Sequence, residues 1–153
     1  MELKIKPFNE LTPHELYGLM RARAEVFFLE QQITVEDADG VDPACTHLWI
    51  EQEGEVIALL RMIPAKVGAG CVPSIGRVLV RKAWRRQGLC RRMMTAAIDY
   101  ICAAWHGTTI HLSAQLYLVD FYRELGFRTT SAVYEEAGIA HQAMEFSIIN
   151  KMG

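Results

Sequence analysis

A chain of 153 residues, 51% of them hydrophobic, carries the apolar content of one domain with an ordinary core, expected to span residues 1 to 153. With 16 Lys and Arg against 18 Asp and Glu, its net charge of −2 excludes a generally basic, nucleic-acid-coating protein. No run of about 18 apolar residues occurs, and Met1 to Lys6 lacks an apolar stretch of signal-peptide length, so the expectation is a cytoplasmic protein with no membrane partner.

Residues 2 to 8 alternate loosely as a first strand. Thr12-Pro13-His14-Glu15 has the form of a capping box with proline at the first helical position. Leu16, Leu19, Met20, Ala24 and Phe27 follow at spacings of three and four, which predicts a helix ending near Phe28. The next segment is turn-rich and gathers Glu30, Glu36, Asp37, Asp39 and Asp42. Two aspartates flank Gly40, but the alternating oxygen ligands and terminal Glu of a calcium loop are lacking, so no metal is expected.

Residues 46–51 and 55–63 are apolar and separated by Gln52-Glu53-Gly54, which predicts a hairpin. A loop with Pro64, Gly68, Gly70 and Pro73 leads to a short apolar strand, Ile75 to Val80. After the turn that follows, Leu89, Met93, Ala97, Ile101 and Ala104 form one helical stripe. Residues 108–114 read as a buried strand. Residues 116–125 read as a shorter helix closed by Gly126. Residues 128–134 and 141–149 read as two strands around the turn Glu135-Glu136-Ala137-Gly138. The order predicts an α/β (α+β) fold, a mixed sheet of about seven strands flanked by helices.

The turn Arg81-Lys82-Ala83-Trp84-Arg85-Arg86-Gln87-Gly88 contains no acid, and it opens a helix that begins Leu89-Cys90-Arg91-Arg92. Gly88 lets the backbone approach a ligand, and the first helical N–H groups are unpaired, so the local design suits a pyrophosphate. Seven of the 16 basic residues lie between Arg77 and Arg92. The opposing interpretation, a solvated basic face, applies most directly to Arg91 and Arg92. A nucleotide P-loop is excluded, because its second glycine and Gly-Lys-Ser/Thr ending are absent. Cys45, Cys71, Cys90 and Cys102 show no Cys-x-x-Cys pair and read as reduced thiols. Cys90, beside the basic turn, is a candidate nucleophile.

Arg85-Arg86-Gln87-Gly88-Leu89-Cys90 resembles the acetyl-CoA signature Arg/Gln-x-x-Gly-x-Gly/Ala of the GCN5-related N-acetyltransferases (GNAT), with Cys90 standing where the family has Gly or Ala. Phe121 to Phe127 is similar to the family's Tyr-x-x-x-Gly-Phe segment. Within the superfamily the chain resembles the small ElaA-like acyltransferases in particular. That likeness is carried by residues 26–31, Asp39-Gly40-Val41-Asp42, His47, residues 75–78, residues 112–115 and residues 133–141, with Ala140 where proline is usual.

The resemblance implies a mostly antiparallel sheet of the acyl-CoA N-acyltransferase fold, and acetyl transfer from acetyl-CoA to a primary amine in a ternary complex. It implies cofactor binding by the edge of Val78, Leu79 and Val80, the turn Arg85, Arg86, Gln87, Gly88, Leu89, Cys90 and Arg91, and the amide of Gln115. Tyr122 is then the general acid, although periodicity alone reads it as core. Glu30 is the first candidate for base, with His141 and His47 as rivals. The expected partner is a small-molecule or peptide amine, favoured as a cation by the acidic loop. A homodimer is allowed. Three alternatives stand beside this reading: a non-catalytic CoA-sensing module, a different acyl donor, and nucleic-acid binding through Arg81 to Arg92. Against the last, the only stacking aromatic in that strip is Trp84.

Overall fold

Strands form where apolar residues alternate. The computed structural model describes residues 1–106 and 108–148, and eight strands occur among them. They are β1 (Glu2–Pro7), β2 (Thr46–Gln52), β3 (Glu55–Ile63), β4 (Ser74–Val80), β5 (Thr109–Gln115), β6 (Arg128–Thr129), β7 (Tyr134–Glu136) and β8 (Ile139–Ser147). The sheet order is β1-β2-β3-β4-β5-β8-β6, with β7 also paired to β8. Every pairing is antiparallel except β4 with β5.

The predicted helix begins at Thr12, whose hydroxyl accepts the Glu15 N–H at 3.0 Å while the Glu15 carboxylate accepts the Thr12 N–H at 2.9 Å. Helix α1 (Pro13–Arg23) runs past the predicted end as a wide π-type turn, Ala24–Glu30. Leu19, Ala22 and Val26 pack on one face of the sheet against Trp49, Leu59 and Leu79. Helix α2 (Leu89–Tyr100) covers the other face. Its Leu89, Met93, Met94 and Ala97 meet Leu48, Ile50, Leu60 and Met62. Strand β2 therefore sends Leu48 and Ile50 to α2 and Trp49 to α1, the period-2 division a strand imposes. Among the described residues no helix is long and apolar enough to cross a membrane.

The predicted helix over 116–125 is a 3-10 turn, Leu116–Leu118, followed by α3 (Val119–Glu124). Gly126 follows at φ +106°, and a Cβ there would meet the Phe146 ring at 2.9 Å, so conformation and space both call for glycine. The predicted strand over 128–134 is interrupted. Ser131 Oγ accepts the Ala143 N–H, and the Ser131 carbonyl accepts Gln142 Nε2–H, so this residue's polar groups replace regular pairing with β8 in the gap that separates β6 from β7. Strand β8 begins two residues before the predicted start; of that strand, Ile149 lies outside the described residues. Ala137 (φ +52°) and Gly138 (φ +78°) make the two-residue turn between β7 and β8, with Glu136 paired to Ile139.

Candidate active site

Strands β4 and β5 share one paired position, Ser74 with His111, and the His111 N–H bonds the Pro73 carbonyl. Beyond it the two parallel strands diverge. Strand β4 also carries a bulge: Leu59 pairs Leu79 and Arg61 pairs Gly76, so Arg77 and Val78 have no partner on β3. Arg77 sits at φ +54°, a strained backbone for a non-glycine residue. The opening is a cleft of about 560 Å³, floored by both strands and walled by the π-type turn, the 33–37 loop and the β7–β8 turn.

The basic turn lies past the end of β4. Arg86 (φ +64°) and Gly88 (φ +75°) turn the chain into α2, and a Cβ at Gly88 would meet nothing within 4 Å. The N–H groups of Leu89, Cys90 and Arg91 hydrogen-bond no other described residue; the Arg92 N–H is the first to close, on the Gly88 carbonyl. These free donors and the helix dipole can hold a pyrophosphate. Leu89 is buried in the core, and Cys90 packs against that core. Burial pushes the Cys90 thiol up to about 11, which removes the low-pKa nucleophile considered from sequence. Arg85 and Arg91 are already partnered. Arg85 donates to the Val80 carbonyl (2.9 Å) and to both Glu30 oxygens (2.6 and 2.8 Å), and Arg91 pairs with Glu124 at 2.9 Å and lies over the Phe121 ring.

That pairing bears on Glu30. The carboxylate is held below the ordinary range by its hydrogen bonds to Arg85, against a smaller opposing effect of burial, and it does not line the cleft. A carboxylate so stabilised is a weak base. His47, its rival, is buried under the acidic loop with Nε2 at 3.1 Å from the Asp42 carbonyl, also away from the cleft.

The acidic loop is not the cation trap that its sequence implies. Asp42, 4% exposed, accepts from Arg23 at 2.6 and 3.2 Å and from Arg61 at 3.1 Å. Asp39 binds Arg61 at 2.7 Å, and Asp37 binds Arg23 at 2.8 Å and Arg77 at 2.9 Å. Three arginines neutralise three aspartates. Burial raises the Asp42 carboxyl, but the Arg23 and Arg61 guanidiniums outweigh it and hold the group below its usual range. The signal missed in the sequence is Arg61, a charge within the apolar run Leu59-Leu60-Arg61-Met62-Ile63.

Of the residues expected to act, Val78, Gln115 and Tyr122 line the cleft. Leu79 is buried under α1, and Val80 packs against the core, so these two offer only backbone. Gln115 exchanges amide hydrogen bonds with Gln31 (3.0 and 3.5 Å). Tyr122 is 4% exposed, edge-on to Phe121 and Phe127, and no described residue hydrogen-bonds its hydroxyl. Burial, reinforced by Cys90 and Tyr117, raises its pKa far above the tyrosine range, so the phenol stays neutral. His141 also lines the cleft, beside Ser113 and Glu136.

Comparison with known proteins fits this geometry. Residues 19–148 match the acetyltransferase (GNAT) domain family. ElaA of Escherichia coli is 32% identical over 143 residues, covering 92% of this chain and 93% of its own. The crystal structure of E. coli ElaA superposes with a TM-score of 0.89 at 29% identity, covering 95% of this chain and 99% of that one. An acyl-CoA N-acyltransferase from Pseudomonas aeruginosa does so with a TM-score of 0.90 at 33% identity, covering 96% and 100%. A splayed parallel pair, a glycine turn with free amides and these whole-length likenesses have one common explanation: the chain belongs to the GNAT acyltransferases, among their ElaA-like members.

Proposed function

We propose that this acyltransferase moves an acetyl group from acetyl-CoA to a primary amine, the two substrates reacting directly in a ternary complex. The observation that carries the reading is the continuity of one edge, from the free amides at Leu89 to Arg91, along the side of β4 that β5 leaves unpaired beyond Ser74, into the cleft that holds Tyr122. In this reading the amides of the turn Gln87 to Arg91, with Arg86, bind the pyrophosphate. Arg85 is braced by Glu30 and orders the turn. The Val78 to Val80 edge takes the pantetheine amides, and Gln115, steadied by Gln31, adds a side-chain amide.

Val78, freed from β3 by the bulge, supplies the N–H toward the thioester oxygen, where negative charge develops as the amine attacks. The C–N bond forms, the C–S bond breaks, and the Tyr122 hydroxyl gives its hydrogen to the departing sulfur. The hydrogen lost from the new amide nitrogen restores the phenol. Among the described residues no cysteine lines the cleft, in keeping with direct transfer rather than an acyl-cysteine. Holding amine and thioester together supplies much of the acceleration.

The test is thermal. Acetyl-CoA at 100 times its dissociation constant stabilises the fold by about 2.7 kcal/mol, a rise of roughly 5–10 °C in Tm for a chain of this size. ATP, which offers phosphates without pantetheine, gives a much smaller rise. Amine-dependent release of free thiol from acetyl-CoA then demonstrates transfer. Binding without thiol release for any amine makes the protein a sensing module, and no rise at millimolar acetyl-CoA rejects the donor.

A further inference from the structure

The wall of the cleft opposite the basic turn carries a constellation that the proposed function leaves without a role. His141 on β8 is 6% exposed and stands directly across from Gln115 of β5 in register. Its Nδ1 lies 2.7 Å from the Ile139 carbonyl oxygen, an acceptor only. Nδ1 therefore carries a ring hydrogen, which leaves Nε2 as the nitrogen able to take up or release a proton. Nε2 faces Glu136 Oε2 at 3.5 Å. The Tyr134 ring stacks on the imidazole, with centroids 6.2 Å apart and planes 21° apart, and the Tyr134 hydroxyl bonds Ser113 Oγ, which itself lies 3.5 Å from Glu136 Oε2. A buried imidazole whose Nδ1 is pinned by a carbonyl and whose Nε2 stands beside a half-exposed carboxylate is more than packing requires.

We propose that Glu136 and His141 are the station at which the acceptor amine docks as its ammonium and loses its proton, and that the acceptor is an amine with an apolar body. This rests on the amine-acetylating reading above. The Glu136 side chain is 56% exposed and meets the ammonium at the cleft mouth. One ammonium N–H bond breaks as the proton passes to His141 Nε2. The resulting imidazolium is held by the Ile139 carbonyl at Nδ1 and by Glu136 at Nε2, and the amine keeps the lone pair that attacks the thioester carbon. After the product leaves, His141 returns the proton to water. Ser113 and Tyr134 are positioning residues that hold the imidazole plane.

The rest of the cleft sets the acceptor class. The arginines that line it, Arg23, Arg61 and Arg77, are taken up by Asp37, Asp39 and Asp42, so Glu36 and Glu136 are the carboxylates left to meet a cation, and Glu136 is the one beside His141. The other titratable groups of the lining are His111 of β5, Tyr117 and Tyr122. Phe28 and Val35, 57% and 60% exposed, line the mouth together with Phe27, Ile33 and Tyr117. This collar suits a phenyl or alkyl group.

Benzylamine is the probe. Native protein, Glu136→Gln and His141→Gln, each first shown to keep the native Tm rise with acetyl-CoA, are assayed for thiol release between pH 6 and 10. With a base in the site, native kcat/KM reaches a plateau before the pH comes up to the amine's own pKa. His141→Gln lowers kcat/KM at pH 7.5 by about 10²- to 10⁴-fold and replaces the plateau with a unit-slope rise toward the amine's own pKa, near 10. Glu136→Gln mainly raises KM for benzylamine. A second measurement needs no turnover: in native protein without acetyl-CoA, benzylammonium saturably shifts the ¹⁵N resonances of the His141 imidazole, and in Glu136→Gln it does not. An unchanged pH profile in His141→Gln overturns the base, and absence of the ammonium-induced shift in native protein overturns the docking station. Failure of acetyl-CoA to bind rejects the parent reading while the ammonium titration still reads the station.

Discussion

Replacing Tyr122 by phenylalanine lowers kcat for amine acetylation by about 10²- to 10⁴-fold, the range for loss of a positioned general acid, and leaves the acetyl-CoA-induced rise in Tm unchanged. The residue lines the cleft with its ring clamped between Phe121 and Phe127, so the substitution keeps every ring contact and removes one oxygen. No described residue hydrogen-bonds that oxygen, so the hydroxyl is held ready without a structural partner. The oxygen makes no hydrogen bond within the fold and the residue lines the cleft, so Tyr122→Phe is close to neutral for stability. A drop in turnover without a drop in Tm is the signature of a chemical role; full turnover in the variant refutes it.

Burial that raises the Tyr122 pKa also constrains how it acts. A phenol so reluctant to ionise does not give up a proton to a thiolate and remain a phenolate. It can donate a strong hydrogen bond as the C–S bond breaks and pass its proton only as another arrives from the amide nitrogen. The rate dependence on pH above neutrality should accordingly carry no inflection from Tyr122, and the changes in native protein belong to the acceptor and its base.

The parts of this protein legible in its sequence are those written in local spacing. The capping box at Thr12 to Glu15, the α2 stripe from Leu89 to Ile101 and the glycine turn at Gly88 each depend on residues within a few positions of one another, and each stands where the pattern put it; only Ala104, exposed in the π-type turn Ile101–Trp105 after α2, leaves the predicted stripe. What stayed hidden depends on partners far apart in the chain. Arg85 looks like a free phosphate ligand until Glu30, 55 residues away, takes both of its terminal nitrogens. The acidic loop reads as a cation attractor because nothing in residues 36 to 42 announces Arg23, Arg61 and Arg77. The Glu136, His141 and Ser113 grouping exists only because β8 pairs with both β5 and β7, and strand pairing has no signal in a single strand's period. The interruption at Ser131 was equally hidden, since a serine that caps the ladder looks like a serine within it.

The largest stability effect is expected at Asp42. Arg23 is 1% exposed and Arg61 4%, and both turn a guanidinium on this one carboxylate, which is itself 4% exposed. Asp42→Asn leaves two buried cations sharing a neutral amide, and breaking a buried ion pair in this way costs about 3–5 kcal/mol. That is a large fraction of the roughly 5–15 kcal/mol that holds a domain folded, and the expected fall in Tm is about 10–15 °C. Asp37 keeps two hydrogen bonds to Arg23 and Asp39 two to Arg61, which is why the variant still folds at low temperature. The same knot sets the acid limit. Asp39 and Asp42 are depressed in the folded state, so their contribution is complete above the unfolded carboxyl value, about 3.9, and is lost as pH falls through the lower folded values. Native protein should lose stability in that acid window, and Asp42→Asn, already lacking one depressed carboxylate, should lose less of it. Urea melts at pH 7 and pH 3.5 measure both differences, and a loss below 1 kcal/mol for Asp42→Asn at pH 7 contradicts the assignment. The knot matters to the site because Asp37 and Asp39 also hold Arg77, and Arg77 holds the bulge that frees Val78. Loosening Asp42 should therefore raise KM for acetyl-CoA before it touches the proton transfers at Tyr122 and His141.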